Sequence, residues 1–134
     1  MPIHLWLIDD AESNHSTVRA TLHGRPEFSF EGFHDGETAA TEFAFRAAHA
    51  PERLPRVVLM DFYMGELRGD QTTERIRAVA TPLSPIIIGY SSVASGSRAI
   101  VEAGGDLVLR KHATRNGTNP DLTVYLDSLL RVAG

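Results

Sequence analysis

VVLMDFYMGELRGD, residues 57–70, begins as four consecutive apolar residues and stops on a carboxylate. Val57, Val58, Leu59 and Met60 show no polar alternation, which suits a strand buried on both faces of a parallel sheet. Asp61 follows directly, and the residues beyond it are loop-like. That abrupt change, from apolar run to acid, is the feature around which the rest of the sequence organises.

Three further apolar runs flank it, at residues 3–8 (interrupted by His4), 86–88 and 107–109. A fifth segment, Glu27-Phe28-Ser29-Phe30-Glu31, alternates apolar with polar, as expected of an edge strand with one face partly wet. Helical signals fall between these runs. Val18 and Leu22 mark a first helix. Ala40, Phe43, Ala44, Ala47 and Ala48 share one face of a second. Thr72, Ile76 and Val79 mark a third, closed by Thr81-Pro82. A fourth, expected to be short and mobile, covers residues 97–103 and ends at Gly104-Gly105. Leu122, Tyr125, Leu126, Leu129 and Leu130 define a fifth, with Asn119 as N-cap and Pro120 at its first position. A strand–helix unit repeated five times predicts an α/β fold, doubly wound, with a five-stranded parallel sheet and right-handed crossovers.

The chain has 134 residues, and residues 1–134 are read as a single domain. Its composition, 43% hydrophobic and 22% charged, is that of an ordinary globular protein. A net charge of -4 without a basic stripe argues against nucleic-acid contact. The absence of cysteine excludes disulfides and zinc–thiolate sites. No apolar run approaches the roughly 20 residues of a membrane span. The N-terminus lacks the layout of a signal peptide. The expected location is therefore cytoplasmic.

In open α/β sheets, sites form at the carboxyl ends of strands. The first strand ends in Asp9-Asp10, the third in Asp61, the fourth in Gly89-Tyr90-Ser91-Ser92 and the fifth in Arg110-Lys111. Three acids, a hydroxyl and a lysine thus converge on one sheet edge. Two carboxylates about 4 Å apart repel by roughly 4 kcal/mol at an effective dielectric of 20. Lys111 offsets part of this, and a hard divalent cation is the natural further partner. Mg²⁺ takes oxygen ligands and typically binds through one or two carboxylates plus a phosphate.

These residues carry a resemblance. Leu7-Ile8-Asp9-Asp10, residues 57–64 with Gly69 beyond, residues 86–92, and Gly104-Gly105-Asp106 leading to Lys111 resemble the response-regulator receiver domain (CheY-like) of two-component signalling. The match spans nearly the whole chain. Ser91 stands 30 positions after Asp61, similar to the family, and Lys111 stands 20 positions after Ser91, slightly short. The resemblance implies the flavodoxin-like strand order 2-1-3-4-5. It implies Asp61 as phosphoacceptor, Asp10 as a direct Mg²⁺ ligand, Asp9 as a ligand through water, and the Tyr63 backbone carbonyl as a further ligand. Ser91 corresponds to the switch hydroxyl and Lys111 to the residue pairing with the phosphoryl group. It further implies a sensor histidine kinase or phosphotransfer protein as donor, a downstream protein target, and a possible homodimer. Such a protein is a signalling switch, not an enzyme acting on other substrates.

Three positions depart from the family pattern. Gly65 stands where proline is usual. Val108 replaces the usual switch aromatic, and Tyr90 is read as a core residue rather than its substitute. His112 replaces the proline after Lys111, so the bond is expected either trans with a shifted loop or strained cis; its ring is read as a surface loop residue. Tyr63, at the expected mouth of the site, is positioned to hinder hydrolysis of an aspartyl phosphate. The other five histidines show no metal-ligand spacing. Two alternatives remain: a phosphorylation-independent interaction module on the same fold, and a Mg²⁺-dependent phosphohydrolase of the haloacid-dehalogenase type. The latter needs a D-x-D motif that Asp9-Asp10-Ala11 lacks. Because the chain ends just after the fifth helix, a stand-alone receiver is expected, although an excised domain would read the same.

Overall fold

The structure is a computed structural model and describes residues 1–133. The elements in chain order are β1 (Ile3–Ile8), α1 (Glu12–Leu22), β2 (Phe28–Phe33), α2 (Gly36–His49), β3 (Val57–Met60), α3 (Gly69–Arg77), β4 (Ile86–Gly89), α4 (Ala94–Glu102), β5 (Leu107–Val108) and α5 (Pro120–Ala133), with a 3₁₀ turn at Pro51–Arg53. The five strands form one parallel sheet in the order β2-β1-β3-β4-β5. The fold class and the strand order are as expected.

Period-two alternation on the central strands divides the core into two layers. Leu5, Leu7, Val57, Leu59 and Ile88 face one side, where they pack with Val18 and Leu22 of α1 and Leu122 and Leu126 of α5. Trp6, Ile8, Val58, Met60 and Ile87 face the other, against Ala39 and Phe43 of α2, Ile76 of α3 and Ile100 of α4. Because both faces are covered, β3 is entirely buried. That explains its unbroken apolar run. Full burial of each such side chain contributes about 1.5–3 kcal/mol.

Several boundaries differ from expectation. The edge strand is β2 at Phe28–Phe33, displaced toward its C-terminus from residues 27–31, because its ladder to β1 runs from Ile3↔Phe28 to Ile8↔Phe33. Helix α3 ends at Arg77, before Val79, whose N–H reaches only the Ile76 carbonyl in a tighter turn. Helix α4 begins three residues earlier than expected, at Ala94. Strand β5 stops at Val108, although the Leu109 N–H still donates to the Gly89 carbonyl.

The buried face of α2 is also rotated. Ala39, Ala40 and Phe43 are buried, Ala44 and Ala48 are exposed, and Arg46 is buried in their place. The Arg46 guanidinium lies 5.3 Å from the Trp6 ring centroid. It donates to Glu31 at 2.8 and 2.5 Å, to Glu42 at 3.1 Å and to the Arg53 carbonyl at 3.1 Å. A cation this well paired is tolerated at a position that periodicity reserves for an apolar residue.

Asn119 does more than cap α5. Its Oδ1 accepts from the N–H groups of Asp121 and Leu122. Its Nδ2 donates to Tyr90 Oη at 2.7 Å and to the Arg110 carbonyl at 3.0 Å. The buried Tyr90 side chain, a core residue as expected, is thereby tied to the chain leading out of β5.

Candidate functional site

The C-terminal ends of β1, β3, β4 and β5 surround a cleft of about 410 Å³, lined by Asp9, Asp10, Asp61, Tyr63, Ser91 and Lys111 among others. All six residues expected at the site therefore meet in one place. Asp9, Asp10 and Asp61 each offer a carboxylate oxygen within 4.8 Å of the others. Asp9 and Asp61 are buried, and Asp10 is exposed. A donor set of three hard oxygens fits Mg²⁺.

Lys111 joins the two buried acids. Its Nζ lies 2.6 Å from Asp9 Oδ2 and 3.0 Å from Asp61 Oδ1. The same ammonium stands 5.5 Å from the Tyr90 ring centroid. Asp61 is held above the usual carboxylate range, first by burial, with the Asp9 charge adding to the effect and Lys111 opposing it. A group so placed is poised between its need for a cation and its exclusion from water.

Tight backbone approaches fix the segments that carry Asp61 and Ser91. Gly69, at the start of α3, lies so close to the Asp61 carbonyl that a side chain there has no room. A Cβ on Gly96 would fall 2.8 Å from Phe62 Cβ, so α4 rests directly on the residue after Asp61. A Cβ on Gly89 would stand 2.7 Å from the Ser97 carbonyl oxygen. Ser97 Oγ in turn accepts from the Ser91 N–H at 3.1 Å, while Ser91 Oγ accepts from Val93 N–H at 3.2 Å. Ser91 is thus held at the end of β4 from both its backbone and its hydroxyl.

The cleft's mouth is built differently. Tyr63 is 61% exposed, with its ring edge-on to Phe62. Gly65, in place of the usual proline, adopts a positive φ of 84°, which suits glycine. The Lys111–His112 bond is trans, like every other described bond. His112 is not a plain surface residue. It lines the cleft, and its Nε2 lies 3.4 Å from Asp121 in the first turn of α5. Val108 is 49% exposed on β5.

Two residues of the site escaped the sequence reading. Asn14 Nδ2 bonds both oxygens of Asp9, at 3.1 and 3.0 Å, and Ala11 N–H adds a bond of 2.9 Å to Oδ1. His15, fully buried, places Nε2 2.7 Å from the Asp9 backbone carbonyl oxygen. Neither carries a spacing signal, since both read as polar residues of an amphipathic helix.

No protein-family model matches the chain, and a search of curated proteins finds no match. Solved structures do match. The receiver domain of the histidine kinase CKI1 from Arabidopsis thaliana, complexed with Mg²⁺ and BeF₃⁻, aligns with 80% of this chain and 79% of its own, at 22% identity and a TM-score of 0.70. A two-component response regulator of the LuxR family from Aurantimonas sp. aligns over 98% and 86%, at 18% identity and a TM-score of 0.73. The receiver domain of the sensor histidine kinase PA1611 from Pseudomonas aeruginosa, with magnesium in its active-site cleft, aligns over 98% and 96%, at 18% identity and a TM-score of 0.70. The fold is that of a CheY-like receiver domain. Among the described residues, no helix is long and apolar enough to cross a membrane.

Proposed function

We propose that the chain is a phosphoaccepting receiver: Asp61 takes a phosphoryl group from a phosphohistidine on a sensor kinase or phosphotransfer protein, in the presence of Mg²⁺, and the signal passes on by a conformational change. The observation that carries this reading is the single ammonium of Lys111 shared between Asp61 and Asp9, with Asp10 beside them. One structural cation does not neutralise three acids, so the cluster suits a further cation and a phosphoryl group together.

In the proposed step, an Asp61 carboxylate oxygen attacks the donor's phosphorus. A P–O bond forms and the P–N bond breaks; the electron pair stays on the imidazole, which takes a proton from solvent. The transition state is loose, so positioning and charge neutralisation dominate. Asp9, Asp10 and Asp61 would hold Mg²⁺, with the Tyr63 backbone carbonyl as the further ligand implied by the resemblance. The metal's contribution is positive charge against the phosphoryl oxygens. Lys111 supplies the protein's own positive charge, and Ser91 Oγ a donor at the end of β4. Ser91 Oγ accepts from Val93 N–H through a lone pair, which leaves its own hydrogen free to donate to a phosphoryl oxygen.

The test is intact mass after incubation with Mg²⁺ and a small phosphodonor such as acetyl phosphate. Gain of one phosphoryl group, abolished in Asp61→Asn, is the expected result. No uptake by the native chain would instead favour a phosphorylation-independent interaction module. Steady phosphate release from unrelated monoesters would favour a phosphohydrolase.

A further inference from the structure

Asp9 is gripped at both ends by consecutive residues of α1. Asn14 holds its carboxylate, and His15 holds its backbone carbonyl. A carbonyl oxygen only accepts, so His15 Nε2 carries the hydrogen of that 2.7 Å bond. The position matters because Asp9 lies just beyond the end of β1. Its N–H makes a last bond to the Phe33 carbonyl at 2.9 Å, and among the described residues no backbone N–H reaches its own C=O. Without His15 that buried acceptor would be left unpaired.

The ring has a made-to-measure seat. It is 0% exposed, stacked on His34 at 4.1 Å and 18°, and set edge-on to Phe30 at 6.3 Å. Its Nδ1 is buried without a partner. A Cβ on Gly32 would collide with Nδ1 and stand 2.7 Å from Cε1. Glycine in the edge strand therefore makes room for an imidazole. An aliphatic residue would fill such a space without burying an unpaired nitrogen; what it lacks is the N–H.

A peptide unit is planar, so fixing the Asp9 carbonyl also fixes the Asp10 nitrogen in the same plane. Asp10 is the exposed member of the acidic trio, and among the described residues no hydrogen bond or ion pair aims its side chain. We propose that His15 is a positioning residue of the acidic site. Through the Asp9 carbonyl it sets the Asp9–Asp10 peptide plane and so directs the Asp10 carboxylate toward the cation position, with Gly32 as the seat that admits the ring. The inference rests on the Mg²⁺-dependent reading of the site.

The experiment compares native protein with His15→Leu, His15→Gln and Gly32→Ala. Mg²⁺ affinity is measured by calorimetry and by the shift of the Asp10 amide during titration. Imidazole nitrogen spectra are recorded on the native chain. Loss of an outer-shell partner typically weakens a metal about 10–100-fold. The expectation is about tenfold weaker Mg²⁺ binding in His15→Leu and Gly32→Ala, most of it regained in His15→Gln, whose side chain keeps an N–H donor. The native spectrum should show hydrogen on Nε2. If His15→Leu does not fold, Gly32→Ala and the native spectrum decide. Mg²⁺ affinity within twofold of native in the folded variants, or a bare Nε2, overturns the inference alone. A native chain that binds no Mg²⁺ overturns the functional reading and the inference with it.

Discussion

Lys111 Nζ lies 3.0 Å from Asp61 Oδ1, although burial holds that carboxyl above its ordinary range. One ammonium is therefore shared by two buried acids, and Asp61 is the less favourably placed of them. An acid raised in the folded state binds more protons folded than unfolded, so it destabilises increasingly as pH rises through and above its unfolded value. Asp61→Asn should accordingly raise the stability of the metal-free protein at pH 7.5, by on the order of 1 kcal/mol. The gain should shrink as pH falls toward the ordinary carboxylate range. Urea midpoints at pH 7.5 and pH 5 measure both. Lys111→Met should move stability the opposite way at pH 7.5, leaving two carboxylates facing each other.

Arg46 makes the reverse prediction. Its hydrogen bonds hold Glu31 below the usual carboxylate range, so this pair stabilises above the unfolded value and loses its effect as pH falls. Glu31 is half exposed and can re-solvate, which keeps the ionic part small. Arg46→Met should cost about 1–3 kcal/mol, mostly through the lost bond to the Arg53 carbonyl and the contact with Trp6. Glu31→Gln should cost less than about 1 kcal/mol. Thermal melts of both at pH 7 compare them; equal losses would place the energy in the ion pair instead.

Gly96→Ala should destabilise even though alanine is the better helix former by about 1 kcal/mol. The new methyl meets Phe62 at 2.8 Å, and relieving such overpacking typically costs about 1–3 kcal/mol. Phe62→Ala in the same chain should recover part of the loss. A double-mutant cycle reads the coupling. Strict additivity would mean that α4 does not rest on Phe62.

Tyr63 tests the timing of the proposed phosphoryl state. Its ring is 61% exposed at the rim of the cleft that holds Asp61. Tyr63→Ala should speed loss of phosphate from Asp61 several-fold while leaving stability within about 0.5 kcal/mol. Intact mass followed over time gives the rate. An unchanged rate would remove Tyr63 as a shield against water.

Much of this site was legible because strand ends carry it. Asp9, Asp10, Asp61, Ser91 and Lys111 each follow a short apolar run, and a parallel sheet brings such ends together whatever lies between them. The edge position of β2 was also readable from the alternation around Ser29. What stayed hidden depends on partners distant in sequence. Arg46 reads as solvent-facing until Glu31 and Trp6 come beside it. Asn14 and His15 read as helix surface until β1 delivers Asp9 to them. Gly32 and Gly96 show no signal at all, because the reason for a missing side chain lies in another element. The rotated face of α2 follows from the same blindness: five alanine and phenylalanine positions form a regular stripe, and pairing of one arginine shifts it.

The glycines behind Asp61 also bear on how such a protein can be altered. At Gly69, Gly89 and Gly96 neighbouring backbone or ring atoms already occupy the place of a first carbon, so those positions tolerate almost nothing. Tyr63, at the rim of the cleft, is 61% exposed, whereas Gly65 has free space around it but a positive φ that still favours glycine. Substitution of Tyr63 should leave the acids where they are. On the proposed phosphoaccepting reading, an engineer seeking a faster or slower version of this chain should therefore vary Tyr63 and leave the glycines behind Asp61 untouched.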